Sequence, residues 1–139
     1  MKRALVVLMI ATVALTACSG KDKGKEGEGG ATCGPAPSPL TDLSKLPGGF
    51  PAPKGFVVTG IKTLGPSLEV DGYRKGDLDS AYDGVKKAFS SGGYSVTDSE
   101  KEEGDAEVAF SGNNTTGQVK LKVECADRTT MTITIRPAV

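Results

Sequence analysis

The chain has 139 residues, enough for one small domain. Its 17 basic and 17 acidic side chains balance, so it lacks the basic excess that marks a nucleic-acid binder, and none is expected as a partner. Histidine is absent, which excludes Ser-His and Cys-His catalytic pairs and histidine metal sites together.

Lys2 and Arg3 precede an apolar run from Ala4 to Ala17. A membrane-spanning helix needs ~20 apolar residues, so this run is too short to span. It reads instead as a secretory signal peptide over residues 1–17. Leu15-Thr16-Ala17-Cys18 resembles the lipobox of bacterial lipoproteins. The resemblance implies that the Cys18 thiol receives a diacylglyceryl group, that the preceding peptide is cut away, and that the new amino terminus is acylated, as with palmitate. Two or three acyl chains on one residue meet the requirement for stable anchoring, each buried methylene adding about 0.8 kcal/mol. Loss of Lys2 and Arg3 leaves a net charge of −2, so the body is not drawn to anionic lipid. Ser19 stands where the aspartate linked to inner-membrane retention would be. The expected location is the cell envelope, lipid-anchored on the non-cytoplasmic side, at the outer membrane if the cell has one.

Residues 18–45 read as a tether. Gly20 to Gly30 mixes lysine, aspartate, glutamate and glycine with no apolar residue to bury, the composition of a disordered leash. Gly34 to Pro39, G-P-A-P-S-P, favours stiff polyproline geometry. Three cysteines make an odd count. With Cys18 acylated, Cys33 and Cys125 remain to pair, and exported chains seldom keep two free thiols. A disulfide is therefore expected. A buried free thiol at Cys125 is the other reading.

Residues 46–139 read as a single α+β domain. Leu46 to Gly55 carries recurrent prolines, which remove backbone donors and exclude helix or central strand. Phe56 to Leu64 and Ser67 to Tyr73 read as a hairpin around Gly65-Pro66. Asp77 caps a helix whose apolar stripe is Leu78, Ala81, Tyr82, Val85, Ala88 and Phe89, stopped by Gly92-Gly93. Four alternating strands follow. They centre on Tyr94 and Val96, on Ala106, Val108 and Phe110, on Val119 to Cys125, and on Met131, Ile133 and Ile135. Period-two alternation predicts an antiparallel sheet with one buried and one wet face. The order β-β-α-β-β-β-β is that of a two-layer sandwich with one helix on one face.

The search for chemistry yields mostly exclusions. No phosphate loop, dinucleotide fingerprint or Ser-x-x-Lys occurs. Neither Cys33 nor Cys125 has a base nearby in sequence to form a thiolate. Asp98 to Asp105 is acidic, but lacks the EF-hand spacing and reads as a solvated turn. Asn113-Asn114-Thr115-Thr116 holds glycosylation-type triplets and reads as a turn. No metal or cofactor is expected. The outward sheet face is predicted to carry Glu107, Lys120, Lys122, Glu124, Thr132, Thr134 and Arg136. The lead-in Leu46-Pro47 and Phe50-Pro51-Ala52-Pro53-Lys54-Gly55 resembles that of small uncharacterised envelope lipoproteins, a resemblance that implies architecture and no mechanism. The expected function is a non-enzymatic interaction module for an envelope protein or wall component. A small-ligand binder with a pocket between helix and sheet is the alternative.

Overall fold

The computed structural model describes residues 31–139. Six strands and one helix follow in the order read from the sequence: β1 Val57–Leu64, β2 Ser67–Lys75, α1 Leu78–Ser91, β3 Ser95–Lys101, β4 Asp105–Gly112, β5 Thr115–Cys125 and β6 Arg128–Pro137. All strand pairs are antiparallel, in the spatial order β1-β2-β6-β5-β4-β3. The β1–β2 hairpin therefore joins the β3–β6 meander through β2 and β6, and the last strand lies inside the sheet. This is the expected α+β sandwich.

Each boundary has a local cause. The Asp77 carboxylate accepts the Ser80 N–H at 2.7 Å, capping one free amide of the first turn. At the other end Gly92 donates its N–H to the Ala88 and Phe89 carbonyls, and Gly93 takes φ 84°, which a side chain resists. Asn113 and Asn114 both adopt left-handed φ, 51° and 57°, giving the tight turn between β4 and β5 a twist that matches its strands. The predicted acidic turn is shorter than expected. Asp98 to Lys101 belong to β3, and only the residues between Lys101 and Asp105 turn the chain. Carboxylates spaced two apart on a strand look like a loop in composition but meet the sheet's needs through the backbone. Likewise β5 begins at Thr115, well before Val119, because Gly117 pairs with Phe110 in register.

The core lies between the sheet and a composite second layer. From α1, Leu78, Ala81, Val85 and Phe89 are buried. The helix packs on β3, β4 and β5. Phe89, Tyr94 and Phe110 form an aromatic triangle with ring centroids 4.2–5.6 Å apart. The proline-rich lead-in supplies the remaining cover. Leu40, Leu46, Phe50 and Phe56 pack against the same cluster, and Pro51 and Pro53 are buried. Phe56 lies over Gly72 of β2, where a Cβ atom would come within 2.6 Å of its ring. Arg74 of β2 reaches from the core side to the Ser80 carbonyl of the helix, and Gly84 leaves room for its guanidinium.

Candidate functional site

The face of the sheet opposite the helix is the candidate site. Alternation turns Glu69, Asp71 and Tyr73 of β2 to this side, beside Thr130, Thr132 and Thr134 of β6. The register then continues to Gln118, Lys120 and Lys122 of β5 and to Asp105, Glu107 and Ala109 of β4. Six of the seven residues assigned to this face from the sequence pair along it in register. The seventh, Glu124, sits at a bulge between Val123 and Cys125 and takes part in an ion pair there.

The face is polar and internally cross-linked. Lys62 of β1 meets Asp71 at 2.8 Å and Glu69 at 3.3 Å. Hydrogen bonds to Asp71 and then Glu69 hold its ammonium pKa above the usual lysine value. Thr132 donates its hydroxyl to Asp71 at 2.9 Å. On the other flank Glu107 pairs with Lys120 at 3.2 Å and accepts from the Gln118 amide. Shallow depressions mark the surface. One, of about 290 Å³, lies among Glu100, Glu102, Asp105, Glu107, Lys120 and Lys122. Another, of about 350 Å³, lies among Ser67, Ala109, Thr116, Gln118, Thr134 and Arg136. Hydroxyls, amides and mixed charges of this kind suit hydrogen bonding to a polar partner. Among the described residues, no three metal-ligating side chains converge.

One end of the face is crossed by the segment before the domain. Ala126 donates its N–H to the Ala31 carbonyl at 3.1 Å, and Cys33 is disulfide-bonded to Cys125, with Cα atoms 5.1 Å apart. Arg128 then donates to the Gly34 carbonyl at 3.1 Å. Pro37 flanks a depression of about 220 Å³ shared with Tyr73, Glu124 and Thr130. Leu40 finally donates its N–H to the Val58 carbonyl on the edge strand β1 at 2.7 Å. Residues 31–40 thus form a strap running from the β5–β6 turn over β6 and β2 to β1. The tether read over 18–45 is, in its described part, laid against the domain. Cys18, the signal peptide and the start of the tether lie outside the described residues.

Arg128 is the residue that sequence reading missed. It falls between the strands expected over Val119 to Cys125 and around Met131, yet it is 6 % exposed. Its guanidinium grips both Glu124 oxygens, at 2.7 and 3.1 Å, and stands 5.8 Å from the Tyr73 ring. The fork of donors fits a carboxylate in two parallel bonds, which is why arginine suits this position. An acid and an arginine flanking a two-residue turn was the available signal. No described helix is long and apolar enough to cross a membrane. The chain matches no family model, no curated protein and no solved structure.

Proposed function

We propose that this chain is a lipid-anchored cell-envelope protein, exposed on the non-cytoplasmic side, whose domain docks an envelope protein or wall component through its open sheet face without catalysing a reaction. The observation that carries the reading is the Cys33–Cys125 disulfide. Disulfides persist in oxidising compartments outside the cytoplasm. The bond also uses up two of three cysteines, leaving Cys18 as the odd one at the end of a lipobox-like sequence. Acylation of Cys18 gives that thiol a role, with the outer membrane as destination if the cell has one.

The docking half of the reading rests on the shape and chemistry of the uncovered face. Under the body of the helix, Phe89, Phe110 and Leu121 fill the space where the alternative reading would put a ligand pocket, and the opening left on that side is a depression of about 290 Å³ at the start of the helix, beside Leu78, Val123 and Thr129. The opposite face instead offers a broad surface of threonines and paired charges. Charge reversal at its centre, Lys120→Glu, is expected to abolish capture of an envelope partner by the purified chain. Lys87→Glu, on the helix away from the face, is expected to leave capture intact. Equal capture by both variants, or a co-purifying small molecule instead of a partner, would count against docking through this face.

A further inference from the structure

We propose that residues 31–39 form a redox-released latch: the Cys33–Cys125 disulfide holds them across one end of the open face, and reduction frees them while the domain stays folded. The strap has little else to hold it. Every residue from Gly34 to Pro39 is itself exposed, so its own side chain gains little burial to offset the lost chain entropy, and what the strap covers is one end of the sheet face. Pro35, Pro37 and Pro39 have no N–H to donate. Besides the covalent bond, among the described residues only the Ala126–Ala31 and Arg128–Gly34 hydrogen bonds tie the strap down. Leu40 is different. Its N–H is bonded to Val58 and its side chain packs on the core, so the free segment ends there.

The chemistry needs an external dithiol. Cys33 is half-buried whereas Cys125 is buried, so Cys33 Sγ is the sulfur open to attack. A thiolate of the dithiol bonds to Cys33 Sγ, the Cys33–Cys125 bond breaks, and Cys125 leaves as a thiolate that takes up a proton. The second thiol of the reductant then displaces Cys33 from the mixed disulfide. Two electrons pass to the protein, which ends with two thiols, and the reductant ends as a disulfide.

Release is expected to uncover Arg128, which donates to Gly34 and is 6 % exposed, and Tyr73 beside it, which is 7 % exposed and shares a depression with Pro37. It also removes Pro37, one wall of the depression over Tyr73, Glu124 and Thr130. A second consequence rests on the anchored reading given above. The fixed end of the leash moves from Cys33 to Leu40, adding about 25 Å of extended reach. The latch itself does not depend on an anchor or a partner.

Hydroxyl-radical footprinting of the full chain, oxidised and then reduced, tests the latch with no membrane or partner present. Labelling of Tyr73 is expected to rise several-fold on reduction while core Met131 stays protected. Cys33→Ser is expected to reproduce that pattern without reductant. Unchanged labelling of Tyr73 would overturn the proposal, because the strap would then be held without the bond. Labelling of Met131 rising alongside Tyr73 would overturn it too, because the bond would then be holding the fold.

Discussion

Gly117 and Gly72 sit inside strands, where glycine ordinarily weakens a sheet. Both lie beneath aromatic rings on the core side. A Cβ atom at Gly117 would come within 2.5 Å of the Phe110 ring and would also press on the Thr134 carbonyl of β6. Phe110 is directly opposite Gly117 in the β4–β5 register, so the ring fills the space a side chain would have taken. Gly117→Ala is therefore expected to cost about 2–3 kcal/mol, the penalty of overpacking a site that cannot relax, as read by urea denaturation. A loss below about 0.5 kcal/mol would contradict the packing. Neither glycine was legible as a packing device. Period-two alternation shows which residues face inward, but not which ring leans over which gap. Arg128 was hidden for a related reason: burial of a charge depends on a strap that arrives from residues far away in sequence.

At the scale of elements, the helix was readable almost to its ends, because a cap, an apolar stripe and a glycine stop all agree. Asp77→Ala is expected to lower stability by about 1 kcal/mol through loss of the Ser80 bond, while Asp77→Asn, which can accept the same N–H, is expected to retain most of it. Denaturation midpoints of the two variants check this; equal losses would show that the cap bond is not what matters. The β strands were readable where side chains alternate and obscure where they do not. The β3 strand carries Asp98 and Glu100 and contains a bulge between Val96 and Asp98, features that also protect a sheet edge from pairing with another chain. Those same charges made it look like a turn. The lead-in lacks helix and strand, as its prolines imply, and Leu46, Phe50 and Phe56 finish the layer the single helix leaves incomplete.

At the scale of the molecule, the disulfide decides where the tether meets the domain. The bond has a sequence separation of 92, and closing a loop of that size is worth up to about 4–5 kcal/mol in the chain-entropy model. Part of that gain is given back in the native state, where the strap must be ordered too. The link also joins the segment to β5, an interior strand bonded on both sides, and not to the edge strand β1. A pull on the tether thus enters the middle of the sheet. All of this acquires a cellular meaning only if Cys18 carries lipid. Intact-mass spectrometry of the polypeptide isolated from its native membrane tests that most directly. Lipid anchoring predicts a chain that starts at Cys18, bears a diacylglyceryl group there, and holds Cys33 and Cys125 in one bond. A chain that still starts at Met1, with an unmodified thiol at Cys18, would contradict it.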